Sequence, residues 1–147
     1  MPCVSYQRPN LWREGPTISV IVRPSTAFLD SLKEQGKDVD VEGKIIRAQT
    51  LVDTGASGSA VDSSLIHELA LLPTGAISIA TPSHENHEVL TYDIDLIIEQ
   101  NNFTIQNIQV FATALNNQGI QGLIGRDVLQ HMLLVYNGYS GNFTLAV

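Results

Sequence analysis

Leu51-Val52-Asp53-Thr54-Gly55-Ala56-Ser57 carries an apolar run into a tight turn of small residues and leaves one carboxylate at the junction. Upstream, Ile45-Ile46-Arg47-Ala48-Gln49-Thr50 is β-branched and apolar enough to predict a buried strand, bounded by Gly43 before it and Gly55 after it. Asp53 then stands where a strand ends. An Asp in such a place commonly forms a turn or caps a helix. Its neighbours favour a displayed acid instead: Thr54 and Ser57 bring hydroxyls to the carboxylate, and Gly55 and Gly58 let backbone approach it or a ligand.

The stretch Leu51–Ser57 resembles the active-site motif of aspartic peptidases, in particular the retropepsin-like group that includes the retroviral proteases. Gly122-Leu123-Ile124-Gly125-Arg126-Asp127-Val128-Leu129 is similar to the hydrophobic-hydrophobic-Gly-Arg segment that follows the motif in that family. A lone Asp-Thr-Gly recurs by chance, whereas the two segments in this order and spacing are specific. The resemblance implies an all-β, closed, barrel-like retropepsin fold with one or two short helices, covering residues 15–147 behind an N-terminal arm, 1–14. Pepsin-like enzymes carry two such motifs on two lobes and this chain carries one, so the resemblance implies a homodimer in which each copy supplies its Asp53 as the catalytic residue. Thr54, Gly55, Ala56 and Ser57 would form the active-site loop, Thr54 either bonding across the two-fold axis or satisfying its own turn, and Gly55 offering backbone to substrate. Gly125, Arg126 and Asp127 are assigned structural roles. The family's usual acidic partner for the arginine is replaced here by Ser57, which leaves Asp62, Asp127 or a backbone carbonyl for Arg126.

With 147 residues the chain is large enough for one core and too small for two. Eight Lys plus Arg against 15 Asp plus Glu give a net charge of −7, which argues against nucleic acid or an anionic membrane as a partner; the substrate that the resemblance implies is a polypeptide. The single Cys3 excludes an intrachain disulfide. No apolar run is long enough to span a bilayer, so a cytoplasmic protein is expected.

Residues 1–14 show no period and predict a loosely ordered arm whose Trp12 packs on a partner or on the domain. Thr17–Arg23 is predicted as the first strand, ended by Pro24, and Ala27–Gln35 as a short helix capped by Ser25 or Thr26 and stopped at Gly36. Lys37–Gly43 reads as a solvated acidic turn. Asp62 or Ser63 should cap a helix over Ser64–Ala70 with Leu65, Leu69 and Leu72 inward. Strands are predicted at Ile77–Thr81 and Leu90–Ile98, and the polar loop Pro82–Glu88 between them falls where the family has its flap. Ala80, Thr81, Pro82, Ser83 and His84 are therefore the candidate substrate-covering residues, although retroviral flap tips are Gly-rich and this one has none. Phe103–Ile105 and Ile108–Phe111 are predicted as the next strand, with a bulge or turn at Asn107, across which the apolar phase shifts. Leu133–Tyr136 and Asn142–Val147 predict a closing hairpin, the latter with Phe143, Leu145 and Val147 alternating as for a dimer interface.

Metal-free peptide hydrolysis needs one group to accept a proton from water and another to donate one to the leaving amine. Two facing carboxylates do both: they cannot ionise together, so one pKa rises, the other falls, and a proton is shared, as in aspartic proteases generally. Ala56 offers the pair no hydroxyl, which places the expected activity optimum at about pH 4–6. No cofactor is implied. His84 and His87 beside Glu85 and Glu88 fit a solvated tip better than a metal site, and His67 and His131 fit ordinary partly buried imidazoles. The alternative function is a catalytically silent dimerisation or peptide-binding module on the same fold.

Overall fold

The computed structural model describes residues 2–37, 44–81 and 83–147, with backbone alone at Thr81 and His84; the predicted turn around residues 38–43 lies outside the described residues, as does Pro82. The strands are β1 (Cys3–Gln7), β2 (Thr17–Pro24), β3 (Ile46–Val52), β4 (Ala60–Asp62), β5 (Gly75–Thr81), β6 (His84–Ile98), β7 (Phe103–Thr113), β8 (Gly122–Ile124), β9 (Leu133–Asn137) and β10 (Asn142–Ala146). The helices are short: α1 (Leu11–Glu14), α2 (Thr26–Glu34), α3 (Ser63–Glu68) and α4 (Arg126–Leu129). None is long and apolar enough to cross a membrane among the described residues.

Six strands hydrogen-bond in the order β2-β3-β8-β4-β7-β6, and β6 pairs back onto β2, so the sheet closes into a ring with β5 attached outside β6. The β-branched runs explain it. Ile18, Val20 and Val22 of β2, Ala48 and Val52 of β3, and Ile94, Leu96 and Ile98 of β6 all point into one core at every second residue. β3 is thus half-buried, with Arg47 and Gln49 turned to solvent.

The ring is braced where its pattern breaks. The β6–β7 register shifts between Ile94 and Leu96, opposite Asn107, which sits at φ +55° and makes the expected bulge. The fully buried Asp95 fills the defect: it accepts from the Asn107 amide at 2.9 Å, from Thr26 Oγ1 at 2.9 Å and from Arg23 Nε at 3.2 Å. One carboxylate so ties β2, α2, β6 and β7 together, and the bulge frees the amide that satisfies it.

The N-terminal arm is ordered, contrary to expectation. β1 pairs along its full length with β10, and β10 with β9, in a second, three-stranded sheet. Its inner face carries Tyr6, stacked on Phe143 at 5.0 Å between centroids, and Leu145. Tyr6 Oη donates to Asn101, which in turn donates to the Leu145 carbonyl, and Arg8 donates to the Thr17 carbonyl, so the small sheet is fixed to the ring. Phe143 and Leu145 are therefore core residues, each stabilising the fold by about 1.5–3 kcal/mol. The expectation that they face a second copy is overturned: alternation along β10 marks a buried face, and that face is covered by this chain. Trp12 does not pack on the domain; it is 74% exposed, with Arg13 over its ring.

Ser25 caps α2 by accepting from the Phe28 amide, and Asp62 caps α3 by accepting from the Ser64 amide. The inner face of α3 differs from prediction in one residue. Leu65 and Leu69 are buried, but Ala70 turns to φ +51°, so Leu71 enters the core and Leu72 points out. The His67 and Ile66 carbonyls accept from the Ala70 and Leu71 amides, closing the helix end. His67 and His131 are exposed rather than partly buried.

Candidate active site

β3 delivers Asp53. Its amide donates to the Ile124 carbonyl at 2.9 Å, continuing the parallel β3–β8 pairing by one residue before the chain turns. Inside the turn the Gly55 amide donates to Asp53 Oδ1 at 2.8 Å and the Ala56 amide to the Asp53 carbonyl at 3.2 Å. Asp53 is half-buried, its carboxylate is oriented by backbone, and Oδ2 accepts no hydrogen bond among the described residues. The Thr54 and Ser57 side chains lie at the surface around it.

The loop is held from behind by the segment after β8, which lies between β3 and β4 and pairs with both. Gly125 is seated against Gly58 so closely that a Cβ there would lie 2.7 Å from the Gly58 carbonyl carbon and oxygen, which only glycine avoids. The Arg126 amide donates to the Ala56 carbonyl at 2.9 Å, and Arg126 Nη1 donates to the Thr54 carbonyl at 2.8 Å. Of the three partners open to Arg126, the structure takes the carbonyl. Asp127 turns the other way, its Oδ2 accepting from the Ser59 amide at 2.9 Å and its Oδ1 from Ser59 Oγ at 2.7 Å, while Ser59 Oγ accepts from the Gly125 amide. Ser59, 1% exposed, is the residue of this network that sequence reasoning missed. Its only sequence signal is a small hydroxyl residue two places beyond Ser57, which nothing distinguishes from an ordinary turn serine.

A cleft of about 570 Å³ opens beside this loop. Gly55–Gly58 form one wall, the β5 segment Ile77–Ala80 another, and Phe111, Leu115 and Leu123 the back; among the described residues none that lines it is charged. β5 and β6 make the hairpin expected over the site, but its shape differs from prediction. Thr81 pairs directly with His84, and 84–88 continue β6 instead of forming a loop. Asn86 at φ +56° takes up a bulge opposite Ile79–Thr81. Of the candidate covering residues, Ala80 reaches the cleft and Ser83 lies exposed in the tip turn; Ile77 and Ile79, not singled out from sequence, supply the apolar wall. Their alternation was visible, but which face of an outlying hairpin looks at the site was not.

Burial pushes the Asp62 carboxyl up, yet the Ser64 amide and hydroxyl and the Leu115 and Asn116 amides together outweigh it and leave its pKa below the ordinary 3.8. Asp62 thereby fastens the start of α3 to the loop carrying Leu115, part of the cleft's back wall.

The aspartyl protease family profile matches residues 38–128, more than half of the chain, and takes in both the Asp53 loop and the Gly125–Asp127 segment. A search of curated protein sequences gives no match. Among solved structures, the crystal structure of a retropepsin-like aspartic protease from Rickettsia conorii superposes with a TM-score of 0.55 over 97% of this chain and 89% of that one, at 14% sequence identity. The closed ring with its outlying hairpin is thus a retropepsin-like fold, and the chain belongs to the aspartyl protease family.

Proposed function

We propose that this chain is an aspartic endopeptidase whose active unit is a homodimer, with one Asp53 from each copy. The observation that carries the reading is the Asp53 carboxylate, oriented by the Gly55 amide beside an uncharged cleft. The ionised carboxylate takes a proton from water as the water oxygen attacks the scissile carbonyl, while the protonated one gives its proton to the carbonyl oxygen; on collapse of the tetrahedral intermediate the first carboxyl passes the proton taken from water to the leaving nitrogen, the second recovers one from a hydroxyl of the intermediate, and the C–N bond breaks with the dyad again singly protonated. In this reading the Thr54 hydroxyl bonds across the two-fold axis, Gly55 and Ala56 present backbone to the substrate strand, and Ile77–Ala80 with the hairpin tip cover it. The cleft's lining suits apolar or small side chains next to the scissile bond. Residues 15–147 form the peptidase domain, with segment 1–14 completing the terminal sheet, and Gly125, Arg126 and Asp127 serve structure. The chemistry requires no cofactor, and a cytoplasmic setting suits a chain with one free thiol.

The Gly-free hairpin tip favours a second reading, a silent peptide-binding or dimerisation module. Asp53→Asn separates the two. For the enzyme, cleavage of a denatured protein substrate should fall by about 10²–10⁴-fold or more, with circular dichroism and sedimentation unchanged. Wild-type protein without cleavage over pH 3–7, still binding peptides, would establish the module; undiminished cleavage by Asp53→Asn would overturn the proposed mechanism.

A further inference from the structure

We infer that the cleft takes its substrates from cationic polypeptides: Glu88, on the hairpin beside the cleft, reads a Lys or Arg side chain that flanks the scissile bond, and the acidic middle of the chain draws such substrates in. The inference rests on the peptidase reading and gives it a substrate class.

Charge is segregated along the sequence. From Ala48 to Gly125 there is no Lys and no Arg, so all eight of the chain's Lys and Arg stand outside this stretch, whereas eight of its 15 Asp and Glu stand inside it. The same stretch supplies every described residue that lines the cleft, from Gly55 to Leu123. The part of the fold that forms the cleft therefore carries the net negative charge of the whole molecule. Solubility alone does not ask for this, since a net charge of −7 keeps a chain soluble wherever its cations stand.

Part of that charge is answered within the fold. Asp95 is fully buried against Arg23 at 3.2 Å, Glu99 is paired with Arg47, and Asp62 is buried among the amides of α3 and the Leu115 loop. Glu85 and Glu88 are exposed on β6, and neither Lys nor Arg pairs with them among the described residues. Glu88 is the one next to the site. Four successive residues of β5, Ile77 to Ala80, line the cleft, so this strand lies along it edge-on. Glu88 is directly opposite Ser78, and His87 is on the other face, opposite Ile79. Directly opposed residues of an antiparallel pair share a face, with Cβ atoms about 4.5–5.5 Å apart, which sets the Glu88 carboxylate within a side chain's length of the cleft wall. β5 itself, Gly75–Thr81, contains no charged residue to answer it.

An uncharged lining under a rim of one sign divides the work of selection. The lining accepts small or apolar side chains at the scissile bond, and the rim discriminates the charge of the residues beside it. One exposed ion pair is worth up to about fivefold in affinity. The field of the surrounding carboxylates adds a further preference in capture, which salt screens over about 8–10 Å. The discrimination therefore belongs to KM and its salt dependence, and not to kcat.

The test uses three fluorogenic peptides that share an apolar pair at the scissile bond and carry Lys, Gln or Glu on either side of it. With the wild-type protein at about pH 6 and about 20 mM salt, kcat/KM should fall in the order Lys, Gln, Glu, by at least about fivefold from first to last and mainly through KM, and about 300 mM salt should compress the order. Glu88→Gln, at an exposed site, should keep the circular dichroism of the wild type and cut the Lys-over-Glu ratio by about two- to fivefold, and Glu88→Lys should cut it further. Glu14→Gln removes the same charge from the exposed helix α1, outside the acidic stretch, and should leave the ratio unchanged. Equal kcat/KM for the three peptides, a preference for Glu, an order that salt does not compress, or an equal loss of the ratio in Glu14→Gln and Glu88→Gln would overturn the inference. If the wild type cleaves none of the peptides, the peptidase reading fails and affinity decides: binding in the order Lys, Gln, Glu by fluorescence anisotropy upholds the charge selection, and equal affinities or no binding overturn it.

Discussion

Arg126 Nη1 donates to the Thr54 carbonyl at 2.8 Å, so the cation that follows β8 grips the backbone of the loop displaying Asp53, and not a carboxylate. Together with the Arg126 amide on the Ala56 carbonyl it fixes the loop at two points two residues apart. A guanidinium on a carbonyl orients a loop without adding a counter-charge next to the carboxylate, and the five-donor fork does this with less loss of freedom than an ammonium would.

Arg126→Ala should therefore act on catalysis through position. The exposed bond is worth about 1 kcal/mol, which for a chain of this size lowers Tm by about 2–4 °C. kcat should fall more than KM rises, because the loop is displaced while the cleft walls stay. Arg126→Lys should lie between the two. Wild-type kcat with a wild-type melting curve in Arg126→Ala would show that the two backbone bonds from Arg126 and Asp53 hold the loop unaided.

Hydrogen exchange should divide β6 in two. Among the described residues, 84–88 pair only with β5 in an outlying hairpin, whereas 94–98 lie between β2 and β7 inside the ring. Amides 84–88 should exchange quickly in the free protein and slow when a peptide-like inhibitor fills the cleft; amides 94–98 should be slow in both. Slow exchange of 84–88 without ligand, unchanged by inhibitor, would mean the hairpin does not close over anything.

What the sequence made legible and what it hid follow from one distinction. Periodicity reports that a face is buried, and the motif residues report local backbone demands; neither reports which body does the burying. Asn107 was legible because a bulge shifts the apolar phase on either side of it; Gly125 was legible only through the family segment it resembles, and the structure supplies the reason, a close approach to Gly58 that excludes every side chain. Phe143 and Leu145 alternate as an interface strand would, yet Tyr6 and the ring cover them. Strand β1 escaped notice because five residues with one buried side chain, Tyr6, are too few to show a period. Residues 84–88 are polar on both faces, since the hairpin stands clear of the core, and so carry the composition of a loop on the backbone of a strand.

Ala70 is a position where the chain holds an unfavourable conformation for a side chain. At φ +51° it ends α3 with the paired carbonyl bonds of a helix stop, a place glycine fills without strain. Ala70→Gly should stabilise the fold by about 1 kcal/mol, raising Tm by about 2–4 °C, with activity unchanged. A lower Tm would mean that glycine's greater freedom in the unfolded chain outweighs the relief of the turn.

Asp62 sets a lower pH limit on the cleft wall. Burial raises its carboxyl, the surrounding Ser64, Leu115 and Asn116 donors lower it by more, and the folded-state pKa ends below 3.8. For a carboxylate depressed by folding, the stabilisation is complete above the unfolded value and is lost as pH falls through the folded one. Asp62→Asn should therefore be clearly less stable than wild type at pH 6–7, and the gap should narrow from about pH 4 downward as the wild-type carboxylate takes up its proton. The Leu115 loop, released from Oδ2, should loosen in the same interval, so the acid limb of the activity profile should include loss of the cleft's back wall. Urea unfolding of both proteins at steps between pH 3 and 7 measures the gap directly, and because every other carboxylate is common to both, the difference isolates Asp62. A gap that stays constant, or widens towards acid, would mean that the buried carboxylate is held by its packing and not by its charge.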